Sequence, residues 1–465
     1  MNTQPLSRRA FLRLSSLAAG SLALAACTPA GQQAAAPNAE EGGALPAGAL
    51  VEIEYASYDL GPANQAREAA ATAFQAANPN IQVKLTVLPY GDLWEKINAL
   101  MAAGTPPDAM YGDFSLLRHA LEGRLLDLTD LFNADPVLSE PANFLTDLQD
   151  PLQAKYGTDK FLALLLGTWV PILYYNRDLF DAAGVPYPDQ TWTWDKVREA
   201  GKALNQPQQE QWGFQWGTIF DNTGWLWWEH KPEDYWATPQ IFPEKTTWDS
   251  PAGLGVMKIF ADFAKDGAAI KPGEGEGFDN YAGAFGAGKV GMYAGGDWDA
   301  GWSFRDLPFQ WDMTLIPMVI DGYRPALNTM VASNTLSATS QHPEEAWQWI
   351  RFMTADEQGA TMIGIGAYET PVLKAAAHAD AVLKPTWAVS GYANRVAAAE
   401  LPGPMYTPYP LNINLWEFPG KFIDPTVEKV RLGEMTPEQA VAYLDSEGLP
   451  YFQQQHAETL EILQK

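Results

Sequence analysis

Cysteine is almost absent. Cys27 is the one thiol in 465 residues, so no disulfide can form within the chain. Basic residues are scarce too: 30 Lys and Arg face 56 Asp and Glu, for a formal charge of −26 at pH 7. Such a field is a poor match for nucleic acid or anionic lipid. It also disfavours anionic ligands unless a local basic pocket overrides it. Histidine is limited to His119, His230, His342, His378 and His456. None of these forms HExxH or another close ligand pair, so no dedicated zinc site and no cofactor is expected. GxSxG and Walker-type loops are missing as well.

The uncharged apolar run at 14–26 is too short for a comfortable membrane span. It follows Ser7-Arg8-Arg9-Ala10-Phe11-Leu12 and ends in Leu24-Ala25-Ala26-Cys27. The twin arginine and the lipobox-like end make 1–26 an export signal, with cleavage before Cys27 and acylation of that cysteine. Removal of 1–26 takes away Arg8, Arg9 and Arg13 and no acid, which leaves the mature chain more negative still. Residues 27–49 are Ala-, Gln-, Pro- and Gly-rich without apolar periodicity, the composition of a flexible tether. The expectation is an exported protein, lipid-anchored at Cys27, using the twin-arginine route.

What remains is long enough for two or three domains. Residues 50–57 alternate Val51, Ile53 and Tyr55 with Glu52 and Glu54, a strand pattern. A loop through Tyr58 leads to a helix over 64–77, halted by Asn78-Pro79. A second strand covers 81–87. Asp92 is placed to cap a helix that stops at Gly104, and 109–111 is a third strand. Alternating strands and helices over so short a stretch predict βαβ units and a mainly parallel sheet. Further on, 161–166, 172–175, 315–317 and 330–333 read as strands. Residues 342–353 open a helix with proline at its first position and acids in its first turn. The tail is helical over 425–432, 436–444 and 452–463.

Eighteen tryptophans are the unusual feature. Most belong in the core, because an indole buries much area. Several, however, fall in turn-rich segments such as 214–236, beside Asp221, Asn222 and Gly224. The stretch 290–302, VGMYAGGDWDAGW, is the most suggestive. A short buried strand runs into Gly295-Gly296, a turn that leaves room for something to approach the backbone. Asp297 is then placed to cap a helix starting at Trp298. An aromatic face with carboxylates at the C-terminal end of a strand sits where ligands bind in open α/β sheets. Carboxylates accept from hydroxyls and an indole covers the C–H face of a pyranose, so a neutral polyhydroxylated ligand fits. A capped helix with a core tryptophan fits the same letters.

Taken in order, several stretches resemble the family 1 extracellular solute-binding proteins, the maltose-binding type among them, which serve sugar-importing ABC transporters. These are 73–113 (AFQAANPNIQVKLTVLPYGDLWEKINALMAAGTPPDAMYGD), 171–194 (PILYYNRDLFDAAGVPYPDQTWTW), 285–299 (FGAGKVGMYAGGDWD), 342–353 and 425–440. The resemblance implies two Rossmann-like α/β lobes joined by hinge crossings, the type II periplasmic-binding-protein arrangement. It places the crossings near 168–171, 334–338 and 368–371. One lobe is then 50–169 plus 336–370, and the other 170–335 plus 371–465. By resemblance, Trp298 occupies the position whose ring packs on sugar, with Asp297 beside it, and Asp113 lies in a segment that accepts sugar hydroxyls. Tyr58, Trp169, Trp225, Asn328, Tyr368, Tyr409 and Trp416 complete the expected cleft, although 391–416 departs from the family pattern. The implied partners are a carbohydrate, the membrane permease subunits and the lipid anchor, and the implied state is a monomer.

An exported glycoside hydrolase is the rival reading, because tryptophans and paired acids also describe glycosidase clefts. It needs two carboxylates about 5–10 Å apart across the scissile bond. Asp297 and Asp299, two residues apart, suit helix-start acids better.

Overall fold

Alternation of apolar and polar residues at the start of the mature body gives β1 (Val51–Tyr58), with Ile53 and Tyr55 fully buried. The computed structural model describes residues 50–112, 116–145, 160–217, 251–274, 282–317, 330–400 and 417–463. Helix α1 (Ala63–Ala77) follows, then β2 (Ile81–Leu88), α2 (Tyr90–Ala103) and β3 (Ala109–Gly112). Helix α2 starts two residues before the expected cap; Asp92 lies in its first turn and no side chain caps it. Gly104 closes it in the left-handed conformation, as expected. Strands β1, β2 and β3 are parallel, as βαβ units require.

Beyond them lie β4 (Leu164–Trp169), β5 (Pro171–Asn176), α3 (Trp194–Leu204), β6 (Trp212–Trp216), α4 (Pro251–Asp266) and β7 (Val290–Gly296). The short α5 (Asp299–Trp302), β8 (Trp311–Leu315), β9 (Met330–Leu336), α6 (Pro343–Ala355), α7 (Glu357–Ile365), β10 (Thr370–Pro371) and α8 (Asn394–Ala399) come next. The tail is α9 (Asp424–Leu432), α10 (Pro437–Tyr443) and α11 (Leu449–Leu463). Helix α10 opens with a full capping box between Thr436 and Gln439.

Two sheets result. One has the order β10-β4-β9-β3-β1-β2, the other β6-β7-β5-β8. The parallel character ends at β3. Strand β9 runs antiparallel to β3 and β4, and β10 antiparallel to β4. In the second sheet only β6 and β7 are parallel. Helices α6 and α7 pack with α1 over the first sheet; α3 covers β6, and α4 packs against α3, α9 and α10.

The chain leaves the first sheet at Val170, between β4 and β5, within the first expected crossing. The return is different. Strand β9 as a whole belongs to the first sheet, so the passage back falls between Leu315 and Met330, ahead of the expected 334–338. A boundary at 335/336 would cut a strand that is hydrogen-bonded on both sides. Its small polar residues explain the misplacement: Ser333 donates to Gly112 O at 3.2 Å, and Asn334 Oδ1 accepts from Tyr55 Oη at 2.6 Å. With these bonds made, Ser333, Asn334 and Thr335 are fully buried mid-sheet.

Candidate functional site

The place where the chain changes sheets is built from aromatic rings and buried charges. Trp169 ends β4, Trp298 follows β7, and Tyr368 precedes β10. Trp169 Nε1 donates to Tyr368 O at 3.0 Å. The Trp169 ring meets Trp298 at 5.9 Å and Tyr368 at 5.8 Å between centroids, both edge-to-face. Tyr58, at the end of β1, lies 6.4 Å from Tyr368 and 5.1 Å from both Tyr90 and Tyr111. Trp302, at the end of α5, lies 5.8 Å from Tyr368.

Tyr58, Trp169, Trp298 and Tyr368, far apart in sequence, are thus brought into one array, and all four are buried. Asp113, Trp225, Asn328, Tyr409 and Trp416 lie outside the described residues, as does Cys27. Gly295 and Gly296 do leave room for a close approach, but what approaches is the chain itself. A Cβ on Gly296 would stand 2.1 Å from Trp298 Cη2, and one on Gly295 would stand 2.2 Å from Tyr293 Cε1.

Asp297 is a different residue from the one expected. No side chain caps α5, whose N-cap is Trp298. The Asp297 carboxylate is fully buried and accepts from Val170 N at 3.0 Å, Thr370 Oγ1 at 2.8 Å and Arg395 Nε at 3.1 Å. Arg395 Nη2 is 3.0 Å from the same carboxylate. Asp297 N also donates to Val170 O at 2.9 Å. With these partners in place it ties β7 to the Val170 crossing, to β10 and to α8, which makes it scaffold rather than an acceptor for ligand hydroxyls. Burial works to raise its pKa, while Arg395 and the hydrogen bonds work to lower it.

Asp299 is buried beside it. Tyr293 Oη donates to its Oδ2 at 2.9 Å, and Tyr174 Oη, which donates to Gly296 O, accepts from Ala300 N. Burial raises the Asp299 pKa to about 7; the Tyr293 hydrogen bond opposes this and the Asp297 charge adds to it.

A second buried ion pair was invisible in the sequence. Arg67 of α1 meets Glu369 at 2.6 Å, both under 4% exposed, and its guanidinium lies 4.5 Å from the Tyr111 ring centroid. Neighbouring residues on one segment therefore reach opposite ways: Glu369 to α1, and Thr370 to Asp297 and Arg395. Arg395 is a lone charge in the small-residue run NRVAAA, a weak signal of a buried partner. Nothing local pairs Arg67 with a residue 302 positions away. No group of acidic, histidine or cysteine side chains able to hold a metal occurs among the described residues.

Two sheets joined at such a junction define a two-lobed α/β binding-protein fold. The sugar-binding protein MalE from Xanthomonas citri has this fold with a TM-score of 0.71 at 16% identity, over 89% of this chain and 100% of that one. An ABC substrate-binding protein from Listeria monocytogenes, solved in complex with cycloalternan, gives 0.66 at 22%, over 88% and 99%. Residues 60–360 match the family described as bacterial extracellular solute-binding protein, and the chain belongs to that family. The diacetylchitobiose binding protein of Streptomyces coelicolor is 25% identical over 341 residues, 69% of this chain and 70% of its own. A Brucella abortus binding protein is 22% identical over 284 residues, and the match spans 66% of that relative's length. Among the described residues no helix is long and apolar enough to cross a membrane.

Proposed function

We propose that the chain is the extracytoplasmic substrate-binding protein of an ABC importer. It captures a neutral mono- or oligosaccharide between two lobes and delivers it to membrane permease subunits. The observation that carries this reading is the array of Tyr58, Trp169, Trp298 and Tyr368 at the junction of the sheets. Rings suit the C–H faces of sugars, and the acidic exterior favours a neutral ligand over an anionic one. The Listeria protein solved with cycloalternan and the Streptomyces diacetylchitobiose binding protein point the same way. The lobes we assign are 50–169 plus 330–383, because 374–377 and 380–383 pack on α7 of the first lobe, and 171–315 plus 384–463. Asp113, Trp225, Asn328, Tyr409 and Trp416 remain assigned to the cleft through the family resemblance.

A hydrolase is disfavoured because Asp297, one half of its acid pair, is occupied by Arg395, Thr370 and Val170. Carbohydrate screening by calorimetry with chromatography of the products tests the reading. We expect one-to-one binding with the sugar recovered intact, and steady hydrolysis of a bound sugar would overturn it. Export and anchoring rest on the signal at 1–26 and on Cys27. Cys27→Ala should leave the protein exported but free of the membrane fraction; a variant still bound to membrane would remove the lipobox assignment.

A further inference from the structure

Helix α5 follows β7 and belongs to the second lobe, yet much of what its end touches lies on the first. The Trp302 indole rests on Gly61, where φ is +55° and a Cβ would come within 2.8 Å of Nε1. Its ring stands 5.8 Å from that of Tyr368. A Cβ on Gly301 would lie 2.4 Å from Ala367 O and 2.6 Å from Ala367 Cβ. Just past the helix, Arg305 is braced in its own lobe, with its guanidinium 4.8 Å from the Trp387 ring centroid. From there Nη2 donates across to Gly366 O at 2.8 Å. One short segment thus grips Gly61 and the turn 366–368.

That turn carries an unusual residue. Ala367 has φ +60°, the left-handed conformation in which glycine usually ends a helix. It closes α7, donating from its N to Gly364 O at 3.0 Å. The adjacent glycine, Gly366, is ordinary helical backbone with φ −58°. Glycine is needed there for another reason, since a Cβ would stand 3.1 Å from the Cβ atoms of both Ala63 and Ala66 on α1. A methyl at 367 strains the cap, but it is the methyl that meets Gly301. The cap is local to α7 and present whether the lobes are together or apart, so its strain favours neither arrangement. The methyl contact, by contrast, exists only when they are together. Trp302 stays 43% exposed, so its ring leaves the seat at a smaller cost than a buried ring.

We propose that α5 is a reversible latch, which clasps Gly61 and the turn 366–368 through Gly301, Trp302 and Arg305 and sets how far the ligand-free chain is closed. The ligand-free chain then divides between open and closed arrangements, and these contacts fix the starting balance on which any ligand acts.

The test is small-angle scattering with hydrogen exchange on the mature chain, with no sugar added. Gly301→Ala wedges the seat. It should raise the radius of gyration and speed exchange at 59–62 and 366–368 together, by about tenfold. Trp302→Ala should act the same way to a smaller extent. Ala367→Gly relieves the strained cap and removes the methyl, so it should resist urea better than wild type and yet be more open. Greater stability with an unchanged radius would make Ala367 only the cap of α7 and overturn the seat. Folded Gly301→Ala and Trp302→Ala variants that scatter and exchange like wild type would overturn the latch. If Gly301→Ala fails to fold, Ala367→Gly decides alone, because glycine fits that backbone without strain. No ligand takes part, so these outcomes are independent of the carbohydrate reading.

Discussion

A carboxylate taken fully out of water persists only where its lone pairs are met. Asp297 meets that condition with a guanidinium, a hydroxyl and a backbone amide, and removing one partner of such a buried pair ordinarily costs about 3–5 kcal/mol. Asp299 has no cation of its own at hand, only Tyr293 and backbone, with the Asp297 charge adjacent. Its carboxyl titrates near 7 in the folded chain and at the ordinary value of 3.8 when unfolded. Between those values the folded state holds a proton that the unfolded state has released. Stability from this group is therefore full below about pH 4, falls as pH rises, and levels off above about pH 7. The whole excursion is at most about 4 kcal/mol. Asp299→Asn keeps an acceptor for Tyr293 and cannot ionise, so it should flatten the fall and be the more stable protein at pH 8. Urea unfolding midpoints across pH 4–8 measure this, and parallel wild-type and variant curves would show that Asp299 is not the group responsible.

At the level of elements, legibility follows the range of the interaction. Strand β1 and helix α1 carry their own periodicity, and Thr436-Pro437 carries its own capping chemistry, so both were readable. Strand β9 was seen as a strand but assigned to the wrong sheet. Alternation reports that one face is buried, not which sheet buries it, and the bonds that decide run to Tyr55 and Gly112, more than 200 residues away. The candidate site divides the same way. The array of Trp169, Trp298 and Tyr368 emerged from family position, and Asp297 was picked out as a helix cap beside the ligand, whereas its carboxylate is taken up by Val170, Thr370 and Arg395. Gly295-Gly296 signalled a close approach, but letters cannot say whether a ligand or Trp298 makes it. Trp302, five residues along from Asp297, was not among the residues singled out from the sequence. Arg67, Glu369 and Arg395 had no local pattern to find.

For the molecule as a whole, the contacts between lobes decide how it could signal. Beyond the crossings, α5 reaches from the second sheet onto the turn before Tyr368. A Cβ on Gly301 would lie 2.4 Å from Ala367 O, and just past the helix Arg305 Nη2 donates to Gly366 O at 2.8 Å. The Trp302 indole adds its contact with Gly61. This seam is continuous with the buried apolar cluster that runs through both sheets, so opening it exposes part of that surface. A ligand that touches rings from both lobes binds the closed arrangement better than the open one. That difference in affinity is the only quantity able to shift the population. The Asp297 clamp fastens Val170 and Thr370 to the second sheet, so an opening of the seam would turn about these points as a hinge. Small-angle scattering of the mature chain should therefore show a smaller radius of gyration on saturation with the sugar that calorimetry identifies. Superimposable curves with and without bound sugar would mean that closure is not what a transporter reads.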